Sequence, residues 1–231
     1  MTCSRRKICA VIKKITLLTL LSVVLIYIGA SFVDYSYYTG NSLTPWAVSP
    51  RKCIHSKHYT ARLIDIANQT HVVLDSMGIE HWLIYGSLWG PLRGIPGPLP
   101  WDHDVDFGID GDGNFSKISL EEFKATFKAA GLSVEDTLQE TSTFLIQNSL
   151  GITVFYNYRG TMMRAGYEPW IFFINYRLYH SFPARLVKQP LSTVRFGSFN
   201  ISVPREGIEI MKHLYPFNWR KVVKPASCEN Q

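Results

Sequence analysis

Residues 81–110 read HWLIYGSLWGPLRGIPGPLPWDHDVDFGID. The apolar run from His81 to Ile84 has the length and content of a short buried strand, and it stops at Tyr85-Gly86-Ser87. A loop rich in glycine and proline follows, and then four aspartates fall within nine residues, Asp102 to Asp110. The alternation in DVDFGI predicts a second strand. On a strand, side chains two apart share a face, so Asp104 and Asp106 point one way while Val105, Phe107 and Ile109 point into a core. Asp102 has the same parity if the strand extends back that far. Two Cα atoms at this spacing are ~6.6 Å apart, close enough for their carboxylates to converge on one cation or on a pair of them. Hard oxygen ligands of this kind suit Mg²⁺ or Mn²⁺. A solvated acidic turn accounts for Asp110 to Asn114, but it leaves the apolar face beneath Asp104 and Asp106 unexplained. Asp110, Asp112, Asn114 and Glu121 also fall at calcium-loop positions, yet Phe115 stands where that loop needs a glycine.

The turn before the loop complements the acidic strand. Gly86 lets a ligand approach the backbone closely, and Ser87 offers a hydroxyl and an N–H at the start of a short helical turn, which suits a phosphate. A phosphate-holding turn beside two metal-ligating carboxylates is what phosphoryl or nucleotidyl transfer requires.

Outward from this stretch, Tyr59, Leu63, Ile66, Thr70, Val73, Leu74 and Met77 recur at helical spacing and predict a helix stopped at Gly78. Ser119 and Glu122 form a capping box for a second helix that carries Leu120, Phe123, Phe127 and Ala130 and closes at Gly131. TFLIQ, ITVFYNY, WIFFINYRLY and STVRFGSFNISV read as strands. A last helix is expected from near Pro204, with Ile208 and Met211 inward, ending before Tyr215-Pro216. The order predicts an α+β domain on a mixed or antiparallel sheet flanked by helices, not a regular doubly wound one.

The formal charge of +6 is a property of one end. Arg5, Arg6, Lys7, Lys13 and Lys14 precede every acid; from Asp34 onward nineteen basic residues face eighteen acidic ones. That distribution carries no nucleic-acid footprint. Residues 15–33 contain no charge and are long enough to cross a bilayer as a helix. The basic flank orients that helix with its N-terminus in the cytosol. The expected organisation is a cytosolic tail at 1–14, a signal anchor at 15–33, a stem at 34–58 and a lumenal body at 59–231. A cleaved signal peptide ending near Ala30 is the competing reading. Sequons at Asn68, Asn114 and Asn200 agree with a lumenal body. In an oxidising compartment Cys53 and Cys228 can form one disulfide between stem and C-terminus, the alternative being two free thiols.

YGSLWGPLRGIPGPLPWDHDVDFGI resembles the signature of the LicD family, which includes fukutin and fukutin-related protein. The closing segment VRFGSFNISVPREGIEIMKHLYPFNW is similar to that family's end. The resemblance covers most of residues 60–220. It implies a nucleotidyltransferase-like fold and transfer of a phospho-alcohol, such as phosphocholine or ribitol phosphate, from a CDP-activated donor to a glycan acceptor. It implies Mg²⁺ (or Mn²⁺) on Asp104 and Asp106, with Asp102 a third ligand or a supporting group. It implies donor phosphates at Gly86 and Ser87, with Arg93 a candidate for phosphate or for the aspartates. It also implies a single-pass type II protein of the Golgi or ER membrane. One position departs. The family places a further aspartate on a later strand, where this chain has Thr153 in GITVFYNY. Threonine cannot act as a base at neutral pH, so a non-catalytic relative that binds glycan or a partner transferase stays open, as does a glycosyltransferase that uses Asp-x-Asp.

Overall fold

The computed structural model describes the backbone of residues 2–39, 53–164, 180–216 and 219–220. Helix α1 runs Thr2–Thr39. Its stretch Val11–Gly29 is long and apolar enough to cross a membrane, and none of it is buried in the isolated chain. It overlaps the span expected at 15–33 and begins four residues earlier, taking in Lys13 and Lys14 near its N-terminal end.

The body begins with α2 (Lys57–Ser76), capped by the Ser56 hydroxyl, which accepts from the Tyr59 N–H. Its apolar stripe is as the spacing predicts: Leu63, Ile66, Thr70, Val73 and Leu74 are buried. Then come β1 (His81–Leu83), α3 (Tyr85–Leu92), β2 (Val105–Asp110), a 3₁₀ turn at Asn114–Lys117, and α4 (Leu120–Ala129). The Ser119 hydroxyl caps α4 through the Glu122 N–H. Strand β3 (Val134–Thr137) and the short α5 (Leu138–Thr141) precede β4 (Thr143–Ile146) and β5 (Leu150–Tyr158). Strands β6 (Thr161–Arg164) and β7 (Ser181–Pro183) lead to the hairpin β8 (Ser192–Phe196) and β9 (Phe199–Val203), and to α6 (Gly207–Leu214).

Among the described residues the main sheet has seven strands in the order β1-β2-β5-β4-β3, with β6 on the far half of β5 and β7 beyond it. Only β2 and β5 run parallel; the other pairs of this sheet are antiparallel. The sheet is therefore mixed, and helices flank it, as expected. Register sorts its side chains into two faces. Val105, Phe107 and Ile109 align with Leu150, Ile152 and Val154, and Ile152 with Phe144, all wholly buried. On that side Phe123 and Phe127 of α4 meet Phe144 and Phe115 in an aromatic cluster. The opposite face carries Asp106 and Gly108 beside Gly151 and Thr153, and Thr143 beside Thr153.

Two expectations differ. Helix α6 begins at Gly207, not near Pro204, and its buried stripe is Ile210, Met211 and Leu214. At 100° per residue that stripe leaves Ile208 on the flank, where it is exposed rather than inward. The turn after β1 is a full helix, α3, not a single turn, and Pro91 lies in its last turn. It packs against the following loop so closely that a side chain at Gly90 would lie 1.9 Å from the Gly97 carbonyl oxygen. The strand expected at 170–179 lies outside the described residues, as does Cys228. Cys53 is disulfide-bonded.

Candidate functional site

The end of β1 and the start of β2 fasten one another. The Ile84 N–H donates to the Asp106 carbonyl at 3.1 Å, and the Asp106 N–H donates to the Ser87 hydroxyl at 2.8 Å. The chain reverses between them at Tyr85, a non-glycine residue held at φ 52°. Such a conformation persists only where surrounding contacts enforce it, and it is common at functional sites. Ser87 is therefore buried, with its oxygen turned to β2, while a Cβ placed on Gly86 would meet nothing within 4 Å. The Gly86 backbone thus borders open space next to the first residues of the acidic strand.

The three aspartates of the Asp-x-Asp-x-Asp stretch stand in different surroundings. Strand β2 begins at Val105, so Asp102 and Asp104 precede it. Asp102 accepts from the Leu99 N–H at 2.7 Å; burial, and then the charge of Asp104, push its carboxyl up to about 7, against the pull of Arg93. Asp104 is about half exposed and lies 3.6 Å from the His103 ring. Burial, and next Asp104, hold the Asp106 carboxyl well above the usual carboxylate range, with Arg164 opposing. The three do not close on one point: among the described residues, the group of three metal-ligating side chains within 4.8 Å is His71, Asp75 and His81, elsewhere in the fold. Asp102, Asp104 and Asp106 nevertheless feel one another's charge. A cluster short of positive charge, made of hard oxygen donors, is the chemistry a divalent cation of the Mg²⁺ class fits.

The neighbouring strand makes room for it. Gly151 aligns with Asp106 across the parallel pair, and a Cβ on Gly151 would sit 3.0 Å from Asp106 Oδ1. Gly151→Ala is expected to push that carboxylate by a few tenths of an ångström and weaken Mn²⁺ binding by about tenfold, with little change in melting temperature. Calorimetric titration of Mn²⁺ into both proteins checks this; equal affinities would show that the carboxylate has slack.

Thr153 is buried on the same face, its hydroxyl 3.4 Å from that of Thr143. Thr143 in turn accepts from Arg164 at 3.2 Å. Arg164, on β6, also donates to the Thr141 carbonyl at 2.7 Å and to the Tyr85 hydroxyl at 3.5 Å. Where a further carboxylate was expected, the face carries two threonines and a guanidinium held in a fixed pose. Neither Arg164 nor Gly151 stood out in the sequence. TMMR is a short strand with one cation, and its approach to Asp106 arises only from the β5–β6 pairing.

His180 completes this corner, with Nδ1 3.1 Å from the Tyr85 hydroxyl. Burial, and then Arg164, push its imidazole down to about 3. A histidine kept neutral in the fold but free to protonate when unfolded favours the fold above about pH 6.5. That contribution is lost as pH falls towards 3. By pH 4.5 it amounts to roughly 2–3 kcal/mol. His180→Gln should flatten the acid side of the stability curve by that amount, read from denaturant unfolding between pH 7.5 and 4.5. An unchanged difference between the two proteins across that range would contradict the assignment.

Arg93 follows α3, its guanidinium 4.5 Å over the Trp89 ring and within the field of Asp102. The calcium-loop residues are not gathered. Asp112 accepts from the Asn157 N–H, Asp110 from the Asp112 N–H, and Asn114 donates to the Gly78 carbonyl. Among the sequons, Asn68 is half-buried on α2, Asn114 holds that bond to Gly78, and Asn200 stands exposed on β9.

Compared with known protein families, residues 78–206 match LicD/FKTN/FKRP, nucleotidyltransferase domain. Among curated proteins, the chain is 28% identical over 164 residues to ribitol 5-phosphate transferase FKRP of Mus musculus, and equally to that of Homo sapiens. The aligned region covers 68% of this chain and 30% of each relative. The match takes in the turn at Gly86, the acidic strand β2, the parallel neighbour β5 and the closing hairpin, so the chain belongs to the LicD/FKTN/FKRP family and carries its nucleotidyltransferase domain.

Proposed function

We propose that this chain is a metal-dependent transferase that moves a phospho-alcohol, such as ribitol phosphate or phosphocholine, from a CDP-activated donor to a glycan acceptor. The observation that carries the reading is the joint between turn and strand: the Asp106 N–H on the Ser87 hydroxyl at 2.8 Å, beside the open backbone of Gly86. It sets the carboxylates next to a place where a phosphate can meet backbone N–H groups.

Asp104 and Asp106 would hold the cation, with Asp102 supporting them. When bound, that ion neutralises charge on the donor phosphates. The chain's own residues do the rest. The N–H groups at the start of α3 orient the diphosphate. Arg164, fixed by Thr141, Thr143 and Tyr85, adds a rigid cation on the same face. An acceptor hydroxyl oxygen attacks the phosphorus that bears the alcohol. The new P–O bond forms as the bond to the bridging oxygen breaks, CMP departs and the hydroxyl proton is released.

The apolar helix at Val11–Gly29 and its basic flank support a type II anchor in the Golgi or ER membrane. Thr153 supports a second reading, in which the domain binds glycan or a partner transferase without turnover. A panel of CDP-alcohols against UDP- and GDP-sugars, with Mg²⁺ or Mn²⁺ and a glycan acceptor, decides between them. CMP release from one CDP-alcohol is expected. Turnover of a nucleotide sugar alone would replace the phosphotransferase reading with a glycosyltransferase one, and no turnover would favour the binding role.

A further inference from the structure

On the apolar side of the sheet, away from the aspartates, two histidines meet. His71 and Asp75 lie one turn apart on α2, and His81 opens β1. His81 is buried and stacks on Phe107; His71 stacks on Phe199 of the hairpin. The contacts of the pair bear on where the ring hydrogens sit. His81 Nδ1 faces the Ile79 carbonyl oxygen at 2.8 Å. A carbonyl only accepts, so that nitrogen carries the hydrogen. His71 Nε2 lies 3.4 Å from an Asp75 carboxylate oxygen, a contact that favours a hydrogen on that nitrogen. With the hydrogens so placed, His71 Nδ1 and His81 Nε2 face one another with lone pairs at 2.7 Å. Two lone pairs at that distance repel unless a cation lies between them.

The geometry points to a transition-metal site of the zinc class on His71 Nδ1 and His81 Nε2, backed by Asp75, that fastens α2 to β1. The outer contacts are those of metal-bound histidine: one ring turns its far nitrogen to a carboxylate and the other donates to a backbone carbonyl, which orients both. Zinc–nitrogen bonds of about 2.0–2.1 Å require the facing nitrogens to part by roughly 0.6 Å. His71 is partly exposed on a helix surface and can yield that distance. Water fills the other positions, and the exposed Asp75 carboxylate lies within 4.8 Å of both rings. The competing occupant is a proton shared by the two rings: burial of the His81 ring disfavours that charge, and the Asp75 carboxylate favours it. The site is independent of the phosphotransfer reading.

The test is calorimetric titration of ZnCl₂ into the full chain in detergent, stripped with chelator and held in excess Mg²⁺, together with melting temperatures with and without zinc. One zinc per chain is expected at micromolar affinity or tighter, with a rise in melting temperature. His71→Ala should remove both. Asp75→Asn should weaken binding by about 10–100-fold, and Asp104→Asn with Asp106→Asn should leave zinc binding unchanged. Both His71 and Asp75 reach the surface, so these variants test the site without a buried cavity at His81. Zinc affinity indifferent to His71→Ala would overturn the proposal. So would a protein that takes no zinc; a melting temperature that also falls as pH rises would assign the pair to a shared proton.

Discussion

Replacing Asp104 and Asp106 together by alanine is expected to abolish turnover of the CDP-alcohol donor while leaving the body folded. A metal ion that neutralises transferring phosphates contributes several kcal/mol to the transition state, so the loss should be at least about a thousandfold in kcat/KM. Stability should move the other way. The Asp106 carboxyl is held well above its usual range by burial and by Asp104, so its charged form is a cost to the metal-free fold. Asp106→Asn keeps the shape and removes that cost. Without divalent ions this variant should melt above the wild type, and added Mg²⁺ should raise the wild type alone. Activity lost together with a fallen melting temperature would mean the carboxylate is structural. This opposition of function and stability is common where a site is assembled from like charges.

The second large effect is expected at Arg164. A charge-assisted hydrogen bond contributes about 1.5–3 kcal/mol, so Arg164→Met should weaken donor binding by about 10–150-fold. Mn²⁺ affinity of the nucleotide-free protein should not fall, because the variant removes a positive charge that Asp106 feels. Arg164→Lys keeps the charge but not the planar fork anchored on Thr141 and Thr143, so it should restore binding only in part. A merely structural arginine would lower melting temperature and both affinities together. Calorimetry with CDP and with Mn²⁺ separates these outcomes.

Much of the architecture was open to a reading of periodicity. The stripe from Leu63 to Leu74, the cap at Ser119 and the alternation at Val105, Phe107 and Ile109 each obey one local rule, and each element stands where the rule puts it. Elements without such a rule were missed. Strand β3 is Val134-Glu135-Asp136-Thr137, polar and without alternation; it is a strand because β4 pairs with it. Strands β6 and β7 are four and three residues long, too short to show a period. Helix α3 was hidden by two glycines and a proline, whose effect is overridden by packing against the Gly97 loop. At the site, the shared parity of Asp104 and Asp106 was readable because it depends on one strand. The room left by Gly151, the threonine pair and the reach of Arg164 depend on neighbours 37 to 58 residues from Asp106, which only the sheet brings together.

The carboxylates before and within β2 are expected to share a divalent ion with a phosphate seated at the Gly86 turn. A crystal structure of the body that follows α1, with Mn²⁺ and CDP, tests this most directly, because manganese is located by its anomalous scattering. The expected result is one manganese bound by Asp104 and Asp106 and by a phosphate oxygen, with that phosphate on the N–H groups of Gly86 and Ser87. Manganese found away from these aspartates, or a diphosphate seated away from the turn, would rule that arrangement out.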